Sequence, residues 1–225
     1  MNSQEALNQL DQLIERYSIL KHPFYVAWSE GRLTREQLAS YARAYYPHVA
    51  AFPGYIESAL QADALPRARH ELQQNLVDER LNPAPHHELW LDFAEALGLE
   101  RGAVASSKAE PSAEQIVATF NRLSRESAGA ALAGLYAYES QQPQVARVKA
   151  DGLRQFYGID SQPGTAYFDV HAETDLLHRH GERLALEECL ENGASPAVIL
   201  ESAEEALLAY WGLLDGICEL AQVPM

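Results

Sequence analysis

His171-Ala172-Glu173-Thr174-Asp175-Leu176-Leu177-His178-Arg179-His180 reads as a helix with one chemical face. A helix turns about 100° per residue, so Asp175 falls about +40° and His178 about −20° from His171, while Glu173 and His180 fall near the opposite side. The stretch offers H-x-x-x-D-x-x-H as an inward cluster and sets His180 aside. Imidazoles and a carboxylate at this spacing can surround one metal ion or reach between two. A polar, solvated helix face is the competing reading of the same spacing.

The helix that carries this run is expected over about 166–192, and nearly every other segment is helical too. Residues 4–20 show an apolar stripe at Leu7, Leu10, Leu13, Ile14 and Tyr17. His22-Pro23 breaks it, and a short helix from Phe24 stops at Gly31. Thr34-Arg35-Glu36-Gln37 is a capping box opening a helix to about Tyr46, with a kink at Pro47 and continuation to about Ala62. Further helices are expected from Leu65-Pro66 to beyond Glu79, from His86 to Leu97 before Gly98, from Ser112 through Ser140, from Pro143 to about Tyr157, and from Ser195-Pro196 to about Leu220. Residues 102–112 and 158–164 read as loops. Alternation of period two with β-branched enrichment is missing, and Ala and Leu outnumber Val and Ile. The expectation is an all-α, single-domain bundle over residues 1–225, with roughly seven to nine helices.

Composition narrows the function classes. Hydrophobic residues make up 47% of the chain, ordinary for a protein with a core. The 17 Lys and Arg against 32 Asp and Glu leave a formal net charge of −15. A surface this acidic repels phosphate backbones and anionic lipid, so no nucleic-acid or membrane partner is expected. Cys189 and Cys218 form no C-x-x-C and no zinc pattern, which fits a reduced, cytoplasmic chain. No apolar stretch approaches the roughly 20 residues of a membrane span, and the first residues lack the features of a signal peptide.

Other candidate ligands follow the logic of the histidine run. Glu79 and His86 are seven residues apart and share a face if the helix persists, although the break at 82–85 leaves His87 as a rival. Glu139 ends Leu135-Tyr136-Ala137-Tyr138-Glu139 in an alanine-rich apolar helix. A carboxylate there is costly to bury unless it is paired or holds a metal. Three carboxylates and three histidines from separate helices suit a non-haem di-iron or manganese–iron pair: carboxylates offset the cation charge and imidazoles complete each sphere.

His22-Pro23-Phe24-Tyr25, Glu79 with six residues to His86, Pro85-His86-His87-Glu88-Leu89-Trp90, Tyr138-Glu139 and His171-x3-Asp175-x2-His178 together resemble the haem-oxygenase-like di-iron proteins. This family is related in fold to TenA and PqqC. The resemblance runs along essentially the whole chain. It is nearest to the branch named for the chlamydial protein associating with death domains (CADD). It implies a seven-helix bundle, metal ligands at Glu79, His86, Glu139, His171, Asp175 and His178, and two metal ions, Fe/Fe or Mn/Fe. It further implies O2 as co-substrate, an external reductant, and a homodimer. Proteins of this branch look like para-aminobenzoate synthases serving folate synthesis, in which a tyrosine of the protein supplies the ring and a lysine the amino group. The matching positions are Tyr25 and Lys149, with Tyr41 and Tyr138 matching tyrosines near the family's site. On their own residues, Tyr25 reads first as a packing aromatic beside His22-Pro23, and Lys149 reads equally as a solvent-exposed lysine.

The same ligand set also suits an N-oxygenase or oxidative decarboxylase acting on a free small molecule. A TenA-like thiaminase needs a nucleophilic cysteine, and neither Cys189 nor Cys218 is placed for it. A PqqC-like oxidase uses no metal, and a haem site with His22 as proximal ligand leaves the carboxylate–histidine set unexplained. No sequence feature supports the death-domain binding of the chlamydial relative.

Overall fold

The computed structural model describes residues 1–62 and 64–224. Among these lie eleven α-helices: α1 (Ser3–Arg16), α2 (Pro23–Ser29), α3 (Arg35–Gln61), α4 (Pro66–Leu81), α5 (His86–Ala96), α6 (Arg101–Ala105), α7 (Pro111–Glu126), α8 (Ala128–Glu139), α9 (Gln142–Phe156), α10 (Gln162–Glu191) and α11 (Pro196–Ala221). A 3₁₀ turn at Ile19–Lys21 joins the first two. No strand occurs among the described residues, and no helix there is long and apolar enough to cross a membrane.

The helix count exceeds seven for local reasons. Residues 102–112 were expected as a loop. Instead the Glu100 carboxylate accepts from the Gly102 and Ala103 amides and caps α6, so only 106–110 are non-helical. The long helix expected from Ser112 through Ser140 breaks at Ser127, whose extended backbone makes it the N-cap of α8. Conversely, α3 runs through both Pro47 and Pro53 as one helix. The capping box at Thr34 and Gln37 forms as expected.

Helix α8 is the axis of the bundle. Every one of its residues is buried, and it packs against α7, α10 and α11. A helix apolar all round has no solvent face to offer, which forces it to the centre. Its last residue, Glu139, is thereby delivered into the core. Helix α10 spans the molecule beside it, packed on α4, α5, α8 and α9. On the opposite side α2 presses onto α9, where Gly152 has no side chain and the Trp28 indole fills its place. Trp28 Nε1 donates to the Lys149 carbonyl at 3.2 Å, fixing this turn of α9 against the core.

Candidate metal centre

Two buried chambers sit side by side in the bundle. The first is polar and lies between α4, α5, α8 and α10. His171, Asp175 and His178 are all buried on α10, while Glu173 and His180 are exposed, as the 100° rotation requires. Glu79, His86 and His171 bring ligand atoms within 4.8 Å of one another. His86, not His87, faces inward; His87 is a partly exposed neighbour of Glu88.

The two imidazoles are set by one device. His171 Nδ1 donates to the Tyr167 carbonyl at 2.6 Å and turns Nε2 toward Glu79, 3.8 Å away. His86 Nε2 lies 3.3 Å from the Asn82 carbonyl and Nδ1 faces Glu79 Oε1 at 2.9 Å. In each case the carbonyl belongs to the residue four positions earlier and holds one ring nitrogen, leaving the other for the common centre. Histidines that bind metals are held in this way. Burial pushes the Glu79 carboxyl up, but His86 and His171 outweigh it and hold it below the usual range.

Glu139 and Asp175 line the same cavity and His178 lies against Asp175, but these three are not drawn together as closely as Glu79, His86 and His171. Asn75 donates through Nδ2 to both Glu139 oxygens, at 3.0 and 2.9 Å. Burial raises the Glu139 carboxyl. His178 Nε2 contacts Asp78 Oδ2 at 3.0 Å, and its Nδ1 lies 3.5 Å from Asp175 Oδ1. Burial opposes charge on His178, yet Asp175, Glu139 and Asp78 raise it to about 10. Asp175 Oδ2 and His178 Nδ1 are buried without a hydrogen-bond partner among the described residues. Unpartnered carboxylate oxygen and imidazole nitrogen beside a gathered Glu–His–His set are what a cation requires, so these residues fit a metal centre. Asn75, Asp78 and Tyr167 were not anticipated. Asn75 stands one turn before Glu79, a place the helical repeat marks.

The cavity bounded by Glu79, Glu139, His171, Asp175, Tyr138 and Tyr167 has a volume of about 10 Å³, roughly the room of one water. A larger open cleft of about 610 Å³, near Cys189 and Ile199, shares no lining residue with it and gathers no comparable donor set. Both cysteines are free thiols, buried and apart from the ligand cluster.

The second chamber is aromatic. Tyr25, Tyr41, Tyr45 and Trp28 are fully buried. Lys149 is not a surface lysine: its side chain is buried, with Nζ 4.8 Å from the Tyr25 ring centre and 5.4 Å from those of Tyr41 and Tyr45. No carboxylate pairs with it among the described residues. Burial therefore holds the amine well below the usual lysine range. Tyr25 and Tyr41 hydroxyls are 3.1 Å apart. Tyr45 and Tyr138 hydroxyls are 2.7 Å apart, and Tyr138 also lines the metal chamber. That contact joins the two chambers.

A family model described as iron-containing redox enzyme matches residues 39–211. Among curated proteins, a 4-aminobenzoate synthase of Nitrosomonas europaea is 37% identical, covering 94% of this chain and 90% of its own. One from Chlamydia muridarum is 40% identical, covering 97% and 92%. Among solved structures, a CADD-like protein of unknown function from Nostoc punctiforme PCC 73102 superposes with a TM-score of 0.77 over 99% of both chains at 19% identity. That likeness speaks to the fold, which is the haem-oxygenase-like bundle. With the family match running from α3 into α11 and across the whole ligand cluster, the chain belongs to the iron-containing redox enzymes.

Proposed function

We propose that the protein is a cytoplasmic, dinuclear Fe/Fe or Mn/Fe oxygenase. It uses O2 and an external reductant to make 4-aminobenzoate, a folate precursor, from its own Tyr25, with Lys149 supplying the amino group. The observation that carries this reading is the approach of the Lys149 amine to 4.8 Å from the Tyr25 ring centre, in a chamber that offers it no counter-charge. The names of the relatives point to the same product.

Glu79, His86 and His171 would hold one ion, and Glu139, Asp175 and His178 the other. When bound, the metals supply oxidising equivalents drawn from O2. The chain's residues do the rest. Burial holds the Lys149 amine well below the usual lysine range, which favours the neutral form and its lone pair beside the ring. The Tyr25 hydroxyl has a partner for its proton in Tyr41 Oη, 3.1 Å away. Tyr45 and Tyr138 provide a hydroxyl contact between the metal chamber and the aromatic one. Trp28, Phe24 and Phe168 pack around Tyr25, Tyr41 and Lys149 and keep water from the reacting groups. A metal chamber of about 10 Å³ leaves little space for a free substrate, which favours a ring supplied by the protein over an N-oxygenase or decarboxylase reading.

The test is single-turnover mass spectrometry. Chain labelled with ring-deuterated tyrosine is loaded with Fe(II) and Mn(II), reduced, and exposed to O2. The expected result is deuterated 4-aminobenzoate at no more than one equivalent per chain, a matching loss of mass at Tyr25, and no product from Tyr25→Phe. Many equivalents per chain, or product from Tyr25→Phe, overturns the self-supplied ring.

A further inference from the structure

One buried carboxyl lies outside the six ligand positions. Glu182 sits on α10 one turn beyond His178, and it is 2% exposed. Neither of its oxygens has a hydrogen-bond partner among the described residues. Counted from His171, it falls at about +20°, in the middle of the face that carries Asp175 and His178. Its carboxyl faces that of Glu139, with Asp175 close by.

Nothing nearby relieves this arrangement. The Asn75 amide is already committed to both oxygens of Glu139. At the preceding position Gly181 lacks a side chain and the Glu71 carboxylate lies over it, so α4 brings a further acid to this side. Without a cation the two facing carboxyls are relieved only by holding one proton between them, and an unpaired buried carboxylate is costly. A cation between them takes the place of that proton. The donors then divide unequally. One side has two imidazoles and a carboxylate (His86, His171, Glu79). The other has three carboxylates and one imidazole (Glu139, Asp175, Glu182, His178).

We propose that Glu182 is a further metal ligand, binding the ion held by Glu139, Asp175 and His178. This rests on the dinuclear reading above. It makes that position the richer in oxygen donors and the better suited to Mn(II), which favours carboxylate over imidazole.

The experiment compares the native chain with Glu182→Gln and Glu182→Asp. Mn(II) binding is followed by electron paramagnetic resonance, anaerobic Fe(II) binding by metal analysis, and Tm is measured with and without metal. Glu182→Gln keeps the shape and loses the charge; Glu182→Asp keeps the charge and shortens the reach. The expected result is two ions bound by the native chain and, in both variants, one position weakened about tenfold or more. Metal-free Glu182→Gln should melt no lower than the native chain, while the rise in Tm on adding Mn(II) shrinks. A purely structural role would shift Tm equally with and without metal, and that result overturns the proposal. Two ions bound by both variants with unchanged affinity and spectra overturns it alone. Fewer than two ions in the native chain overturns it together with the dinuclear reading. If Glu182→Gln does not fold, the affinity of Glu182→Asp decides.

Discussion

The metal chamber and the aromatic chamber are equally buried and solve the problem of buried charge in opposite ways. In the first, Glu79 keeps its charge because two imidazoles surround it, and His178 is raised to about 10 by the carboxylates it faces. In the second, Lys149 has rings for neighbours, and burial pushes its amine toward the neutral form. Charge is compensated on one side and extinguished on the other. The difference matches what each side must do under the proposed chemistry: one collects ligands for cations, and the other keeps an amine nucleophilic next to a phenol. The two meet where the Tyr45 and Tyr138 hydroxyls touch.

The largest effect should come from removing the anion at the centre of the compensated side. Glu79→Ala leaves His86 and His171 without their shared partner, and breaking a buried pair of this kind costs about 3–5 kcal/mol. The variant is expected to lose metal binding by about 100-fold or more and to unfold at lower denaturant in the metal-free state. Chemical denaturation and metal analysis on the same preparation check both. Unchanged stability would mean that the Glu79 contacts do not hold the chamber together, and the contrast would lose one arm.

Next comes the extinguished charge. Lys149→Met replaces an unpaired buried amine by an apolar chain of similar shape, and it should match or exceed native stability, by up to about 2 kcal/mol. The sign with pH follows from the depressed lysine. Between its folded value and about 10.4 the unfolded chain binds the extra proton, so native stability rises with pH across that window. The methionine variant lacks this slope. Its advantage should be greatest at the lower end of the window and fade as pH approaches about 10.4. A constant difference in denaturation midpoint from pH 7 to 10 would show that Lys149 keeps its proton in the folded chain across that range.

How much of this was legible depends on range. The α10 face was readable because the 100° rule needs only one helix: His171, Asp175 and His178 are buried and His180 is exposed. The same rule places Glu182 on that face, although it lies beyond the last histidine of the run. Burial of Glu139 followed from the apolar helix that carries it. The lysine was different. Nothing within Val145-Ala146-Arg147-Val148-Lys149 distinguishes a core amine from a surface one, because its burial depends on α2 and α10 packing against α9 and on the α3 tyrosines that its amine reaches. Helix boundaries failed where a single side chain decided them, Glu100 capping α6 and Ser127 dividing α7 from α8.

A smaller effect is expected at the junction. Tyr45→Phe removes the 2.7 Å contact and leaves the Tyr138 hydroxyl buried without that partner, at a cost of about 1 kcal/mol. Metal content should not change, since Tyr45 is no ligand. Product formation should slow while Tyr25 remains the residue consumed. Loss of metal in this variant would mean that the two chambers are not separable.

The smallest effect is reserved for the histidine that the helix turns outward. His180→Ala should shift stability by less than about 0.5 kcal/mol, as surface substitutions do, and should leave metal binding intact. Two residues away on the same helix, His178→Ala removes an imidazole that is buried between Asp78 and Asp175 and should cost the second ion. The pair is a sharper test than either alone, because composition, helix and net histidine count change identically and only the face differs. Equal metal loss in both variants would mean that the α10 face does not direct the ligands, and the division between a compensated and an extinguished chamber would have to be drawn elsewhere.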